Sequence, residues 1–178
     1  MHTFDLLFKT SCLFVEGTEL VRLTQFSNFV IRILMYTGIK GNRPSTIQEM
    51  AQAYGISYDH LKKAAAEACR LGYLKSVMGR NGGMMTAKSP ELINIGEVIR
   101  QTEGILSLVE CFDPNTNTCP LHKECRLRLA LQEALNAFFC TLDKYTLSDL
   151  IDNRERIASC LGIEEKLTRA RSNAPEPS

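Results

Sequence analysis

The fold is decided by the stretch Thr46-Ile-Gln-Glu-Met-Ala-Gln-Ala-Tyr-Gly55 and by the residues that follow it, from Ser57 to about Leu71. Thr46 followed three residues later by Glu49 is the signature of a capping box, in which the two residues close the start of a helix. Gly55 ends that short helix in a tight turn, and Ser57 can cap a second helix. Two short helices joined by such a turn form a helix-turn-helix.

The second helix of this motif carries polar residues in its first turns. In a helix-turn-helix, these N-terminal residues enter the major groove of DNA and contact the edges of the bases. The candidate DNA-binding residues of this helix are therefore Ser57, Tyr58, His60, Lys62 and Lys63.

A glycine-rich hairpin follows the second helix directly. Residues 73–77 and 84–86 have the composition of strands, and the turn Gly79-Arg-Asn-Gly-Gly83 lies between them. A hairpin in this position predicts a wing, whose tip residues Arg80 and Asn81 are placed to contact phosphate or a minor groove. The turn does not predict a nucleotide-binding loop, because it lies between two strands and not between a strand and a helix.

The charge of the chain is unevenly spread. The net charge is only +1, but residues 43–88 hold seven Lys and Arg against three acids, whereas residues 89–178 hold ten against fourteen. A basic module favours a polyanion such as double-stranded DNA as its partner. No apolar run approaches the roughly 20 residues that a membrane helix needs, so we expect no membrane partner.

Three of the seven cysteines lie in one stretch, Glu110-Cys-Phe-Asp-Pro-Asn-Thr-Asn-Thr-Cys-Pro-Leu-His-Lys-Glu-Cys125. Its two prolines, and the Asp and Asn residues near them, exclude a regular helix or strand. Cys111, Cys119 and Cys125 can therefore converge on one point, where a metal ion or an iron–sulfur cluster is the usual occupant. A zinc site and free thiols are the alternatives.

The cysteine count also bears on the compartment. Seven is an odd number, and without a recognisable secretory signal it argues against a disulfide framework. We therefore expect a cytoplasmic protein. Cys69 and Cys140 lie in predicted helices and are expected to be buried, because free cysteine packs as a small hydrophobic residue.

The second half of the chain is predicted to be helical. A short helix over residues 93–104 precedes the cysteine loop, and a helix of 16–18 residues from about Arg126 follows it, with apolar residues three to four apart. A helix this apolar favours a second copy of the chain as its partner, which predicts a homodimer. Thr146 caps a final helix that runs to Leu161. The fold class is mostly α with a small β-hairpin wing, arranged as a winged helix-turn-helix domain plus a long dimerisation helix.

Five segments are expected along the chain. Residues 1–20 are interpreted as a non-native or disordered N-terminal extension, since Val21 could be encoded by a GTG start codon. Residues 21–104 are predicted to form the winged helix-turn-helix domain, 105–126 the cluster-binding cysteine loop and 127–162 the dimerisation helices. Residues 163–178 have the composition of a disordered tail.

These parts together resemble the Rrf2 family of winged-helix repressors. The resemblance covers about residues 21–162 and rests on Val21-Arg-Leu-Thr24, the helix-turn-helix, the wing, the cysteine loop and Leu142-Asp-Lys-Tyr-Thr-Leu-Ser-Asp-Leu150. It implies a homodimer that binds operator DNA, and an iron–sulfur cluster of four or two irons that sets the affinity for the operator.

The resemblance also implies which residues hold the cluster, namely Cys111, Cys119 and Cys125. One branch of the family completes a two-iron cluster with a histidine three residues after the last cysteine, where this chain has Arg128. The nitric-oxide-sensing branch often uses an aspartate in the first helix of the partner subunit, where this chain has Asn28. The fourth position is therefore open, and the chain resembles both the nitric-oxide-sensing and the iron-regulating branches.

The function that follows is a cluster-dependent transcriptional repressor whose operator affinity responds to nitric oxide or to iron status. Two alternatives remain open: a cluster-free thiol-redox regulator that uses Cys111 and Cys119, and a zinc-stabilised DNA-binding regulator. An enzyme is not expected, because the sequence has no Ser/His/Asp arrangement, no phosphate-binding loop and only three histidines.

Overall fold

The computed structural model describes residues 23–103 and 109–163. The predictions made for residues 1–20, for 105–108 and for the tail beyond Ile163 lie outside these residues. Within them the chain is mostly helical with one small antiparallel hairpin, which confirms the predicted fold class. Across the described ranges, no helix is both long and apolar enough to cross a membrane.

The first helix, α1 (Gln25–Lys40), forms the centre of the core. Thr24 caps it, with its Oγ1 accepting a hydrogen bond from the Ser27 backbone N–H at 3.2 Å. Eight of the sixteen residues of α1 are buried, and Val30, Ile33 and Leu34 are completely inaccessible to solvent. The apolar spacing of the sequence thus produces a helix that the rest of the winged-helix domain covers.

The helix-turn-helix consists of α2 (Ile47–Tyr54) and α3 (Tyr58–Arg70). The predicted capping box is present, since Glu49 N–H donates to Thr46 Oγ1 and Thr46 N–H donates to Glu49 Oε2. Gly55 ends α2 in the left-handed conformation at φ +61°. Ser57 occupies the N-cap position of α3, but its side chain makes no capping hydrogen bond.

The wing is a two-stranded hairpin of β1 (Leu74–Val77) and β2 (Gly83–Thr86), with Leu74 opposite Thr86 and Val77 opposite Gly83. Ser45, just before α2, exchanges two backbone hydrogen bonds with Met84 and so ties the hairpin to the helix-turn-helix. A glycine is required at position 83, because a Cβ there would lie 2.6 Å from the Ser45 carbonyl oxygen.

After a single 3₁₀ turn (Pro90–Leu92), the chain forms α4 (Ile95–Glu103), then the cysteine loop and α5 (Arg126–Leu142). The seventeen residues of α5 agree with the predicted length. Two short helices, α6 (Leu147–Leu150) and α7 (Arg154–Cys160), complete the described chain.

The single final helix predicted from Thr146 to Leu161 is wrong, although Thr146 does cap α6 with a complete capping box. The helix breaks because Ile151 leaves the helical conformation and is buried in the core. Asn153 is also non-helical, and α7 restarts with Arg154 directed back to α1. The Arg154 guanidinium donates to the carbonyl oxygens of Gly38, at 3.1 Å, and of Ile39.

The long helix α5 differs from α1 in that none of its residues is buried. Cys140 on this helix is exposed, so its predicted burial is wrong within the single chain. The reason is that nothing in the described chain covers this face of α5. Cys69 on α3 is half-buried, and this burial raises the pKa of its thiol.

Candidate functional site

The N-terminal half of α3 presents its candidate DNA-binding residues to solvent. The opposite face of the helix is fully buried through Leu61, Ala64, Ala65 and Ala68, and it packs on α1. This anchoring directs the polar face outward, because residues on opposite sides of a helix alternate with its 3.6-residue period. The side chains on the exposed face are Ser57, Tyr58, His60, Lys62 and Lys63.

His60 makes an aromatic contact with the first helix. Its ring stacks on Phe29 of α1, with the centroids 6.0 Å apart and the planes inclined by 21°. Tyr58 keeps 44% of its surface exposed next to it. The stacking connects the start of α3 to α1, a contact that the sequence pattern did not indicate.

The wing tip carries Arg80 and Asn81, both exposed. Gly79 has φ +117°, and a Cβ at Gly82 would overlap the Val77 carbonyl oxygen, so this tight turn depends on its glycines. Met78 beside them is 91% exposed. Met78 is not among the residues predicted from the sequence, although an apolar residue beside a basic turn is a signal that could indicate it.

A cleft of about 280 Å³ lies between the start of α2, the start of α3 and the wing. Gln48 lines this cleft, together with Thr46, Tyr58 and Ser76. Gln48 is likewise not among the residues predicted from the sequence to contact DNA. The available signal was its place in the first turn of the first helix of the motif, the helix that crosses the DNA backbone in this class of structure.

The three loop cysteines are free and half-buried. Cys111 lies in a 3₁₀ turn (Glu110–Phe112), Cys119 lies in the irregular stretch, and Cys125 occupies the N-cap position of α5. Within residues 23–103 and 109–163, no three His, Cys, Asp or Glu side chains are gathered closely enough to hold a metal ion. The donor set fits an iron–sulfur cluster in chemistry, since thiolates are its usual ligands, but the structure does not bring the three sulfurs together.

Backbone contacts fix the shape of this loop. Asp113 Oδ1 accepts from the Asn115 N–H at 2.9 Å, and Asn117 Oδ1 accepts from the Cys119 N–H at 3.0 Å. His122 Nδ1 lies 3.0 Å from the Cys119 carbonyl oxygen. Since a carbonyl oxygen only accepts, this nitrogen carries the proton and is not available as a ligand in this arrangement.

Two positions at which the chain departs from related branches are occupied by local contacts. Arg128, in the first turn of α5, donates from Nε to the Cys111 carbonyl oxygen at 3.4 Å and so ties the loop to the long helix. Asn28 Oδ1 accepts from Arg32 Nε at 3.1 Å, one turn further along α1.

Comparison with known proteins agrees with this architecture. Residues 23–153 match the Rrf2 family, described as an iron-dependent transcriptional regulator. The chain is 42% identical over 145 residues to the HTH-type transcriptional regulator NsrR of Halalkalibacterium halodurans, a match that covers 81% of this chain and 99% of the relative. It is 41% identical over 148 residues to NsrR of Bacillus subtilis, covering 82% and 100%.

Among solved structures, CymR, the global cysteine regulator of Bacillus subtilis, superimposes with a TM-score of 0.55 at 25% identity. The match covers 75% of this chain and 98% of that one. The family match spans the helix-turn-helix, the wing, the cysteine loop and α5. The chain therefore belongs to the Rrf2 family and is a transcriptional repressor of that family.

Proposed function

We propose that this repressor binds its operator as a homodimer and that an iron–sulfur cluster on Cys111, Cys119 and Cys125 sets its operator affinity. The observation that carries the proposal is the position of the three free thiols, on one loop that joins the winged-helix domain to α5. Relatives named NsrR share about four tenths of its sequence. Nitric oxide or iron status is the proposed signal.

The cluster would supply iron that reacts with nitric oxide and that is lost when iron is scarce. Three cysteines leave one coordination position to a non-cysteine ligand, which suits a sensor better than an electron carrier with all positions held by the protein. Both a four-iron and a two-iron cluster are compatible with this donor set. Arg128 and the Cys111 backbone carbonyl connect the loop to the start of α5, so a change in loop shape reaches that helix directly.

The DNA interface of the proposal combines the exposed face of α3 with the wing. Lys62, Lys63 and Arg80 supply three cationic side chains on this surface. Each phosphate contact that is removed should lower the salt dependence of operator binding by close to one unit of slope. Lys62→Gln and Lys63→Gln test this, with Lys144→Gln, an exposed lysine far along the chain, as the control.

The homodimer part of the proposal rests on α5. Leu127, Leu129 and Phe138 are exposed on a helix that buries none of its residues. A helix of this length and apolar content is stabilised by packing along its length rather than by its own propensity. A second copy of α5 supplies such packing with two-fold symmetry, and two-fold symmetry matches the palindromic half-sites that helix-turn-helix dimers bind.

A cluster-free thiol switch is the second candidate function. It rests on the same three half-buried thiols, which lie on one loop as free cysteines. A two-electron oxidant such as a peroxide would join the Cys111 and Cys119 sulfurs in a disulfide, with both thiol protons released, and would so change the loop; a dithiol reductant would reverse the change.

Anaerobic purification decides between the two candidates. The proposal predicts a brown protein with iron and sulfide bound, which loses its colour in the variants Cys111→Ser, Cys119→Ser and Cys125→Ser. Cys160→Ser, an exposed cysteine on α7, should retain the cluster. A colourless, iron-free wild-type protein whose operator binding follows thiol oxidation would support the thiol switch instead.

A further inference from the structure

Several specific side-chain contacts join α4 to the end of α5. Arg100 of α4 forms a bidentate pair with Asp143, from Nη1 to Oδ1 and from Nη2 to Oδ2, both at 2.7 Å. The same guanidinium lies 4.4 Å from the centroid of the Phe139 ring on α5. Bidentate arginine pairs fix orientation as well as distance.

Two further residues of this segment hold Asp143 in place. Asn94 Nδ2 donates to the Asp143 carbonyl oxygen at 2.7 Å, while Asn94 Oδ1 accepts from the Glu97 N–H and caps α4. Gly96 packs directly against the Asp143 side chain, and a Cβ there would overlap its Oδ1. The junction is therefore defined by Asn94, Gly96, Arg100, Phe139 and Asp143.

The far end of α4 is attached to the DNA-binding domain. Glu103, its last residue, accepts from the Thr24 N–H at 2.8 Å and from the Thr24 hydroxyl at 3.2 Å. Thr24 is the N-cap of α1, and α1 packs against α3, which is the recognition helix of the proposed function. A shift of α4 therefore moves the start of α1.

Although no residue of α5 is fully buried, Phe139 and Leu142 near its C-terminal end pack against the core. Its first turn is tied to the cysteine loop through Arg128 and the Cys111 carbonyl oxygen, and its C-terminal end is tied to α4 through the junction. The helix α5 is about 25 Å long, at 1.5 Å per residue. Its N-terminal end is attached to the loop and its C-terminal end to the junction.

On these contacts we propose that Arg100 and Asp143 are positioning residues that transmit the state of the cysteine loop to the recognition helices. This inference rests on the proposed function, because it requires a loop state that changes operator affinity. The junction fixes the angle of α5 against α4, and in a dimer built on α5 that angle sets the separation of the two α3 helices. Both side chains are about two-fifths exposed, so the pair can re-form in another geometry without leaving a buried charge.

The test compares operator affinity of the cluster-loaded and the cluster-free protein, at fixed salt, for wild type and for Arg100→Lys, Asp143→Asn and Gly96→Ala. Typical couplings between sites change affinity by roughly 5-fold to 150-fold. We expect the wild type to show such a ratio, and the variants to bring it to about one while retaining cluster absorption and the dimer. Arg70→Lys is the matched control, since Arg70 pairs with Glu67 within a single helix.

A second readout separates positioning from a purely structural role. Hydrogen exchange of the α4 amides should change upon cluster loss in the wild type and not in Asp143→Asn or Arg100→Lys. If cluster loss changes the operator affinity of the wild type and of all junction variants by the same factor, the inference is wrong and the proposed function stands. If the wild type binds its operator equally with and without cluster, the proposed function itself fails.

Discussion

The two long helices α1 and α5 have similar length and apolar content but opposite surroundings. Half of the residues of α1 are buried, whereas none of those of α5 is. The first helix therefore satisfies its apolar face within the chain, where α3, α4 and the wing cover it. The exposed apolar side chains of α5 have no such cover within the described chain. In the proposed homodimer a second copy covers them, so that the helix-turn-helix and the wing are complete in one chain, whereas α5 is completed by assembly.

The largest expected effect is a loss of stability upon truncation of a core side chain of α1. Ile33→Ala on α1 removes a side chain with no exposure and should lower the free energy of unfolding by about 2–5 kcal/mol. The loss should be independent of protein concentration, because the contacts lie within one chain. Urea denaturation at several protein concentrations measures it.

Leu127→Ala on α5 is the paired variant, at a position that is 64% exposed in the chain. The loss in free energy of unfolding that this variant causes should grow as the protein concentration falls toward the dimer dissociation constant, because subunit association stabilises by mass action. Equal and concentration-independent losses at both positions would contradict the contrast between the two helices.

The second effect concerns association itself. Phe138→Glu places a charge on the exposed face of α5 and should weaken dimerisation by roughly 30-fold or more, which corresponds to a hot-spot loss of about 2 kcal/mol. Sedimentation equilibrium measures the change. Gln132→Glu adds the same charge elsewhere on the helix and serves as its control; a similar weakening there would argue against a specific interface on the Phe138 side.

A third, smaller effect belongs to the DNA-binding unit. Thr46→Ala removes the acceptor of the capping box and should destabilise the protein by about 1 kcal/mol. Thr46→Ser keeps the hydroxyl and should retain most of that stability. Thermal unfolding of the two variants gives the comparison, and an alanine variant as stable as the serine one would show that the cap contributes little.

The smallest effect lies at the junction of the two regions. The Arg100 guanidinium lowers the pKa of Asp143, so the folded state binds this proton more weakly than the unfolded chain. The stabilisation is present above the unfolded pKa, near 4, and is lost as the pH falls through the lower folded value. Asp143→Asn should therefore lose less stability than wild type as the pH falls below about 4. The free energy of unfolding is measured against pH for both proteins. If the two curves fall in parallel below pH 4, the Arg100–Asp143 pair does not contribute to acid sensitivity.

Local signals account for what the sequence could predict. Thr46, Glu49 and Gly55 act within a few residues of one another, so they define α2 and its turn without knowledge of the rest of the chain. The wing and the length of α5 follow in the same way from glycine placement and apolar spacing. For these elements the prediction and the structure agree.

The features that were not predicted depend on distant residues. The final helix breaks because Ile151 is buried in a core to which α1 contributes, and Arg154 donates to the end of a helix more than a hundred residues earlier. The Arg100–Asp143 pair spans 43 residues and has no periodic signal. Cys140 was expected to be buried from its residue type alone, but its burial depends on what covers α5. Cysteine spacing likewise identifies the loop without setting the distances between the sulfurs.

Control of operator binding by the cysteine loop can be tested on the intact repressor in one experiment. Operator affinity is measured anaerobically on a single preparation, before and after stoichiometric nitric oxide and, separately, an iron chelator, at constant ionic strength. We expect the operator affinity to change by roughly fivefold or more, and we expect no such change in Cys119→Ser. Equal affinities before and after both treatments, in a preparation shown to contain the cluster, would contradict it.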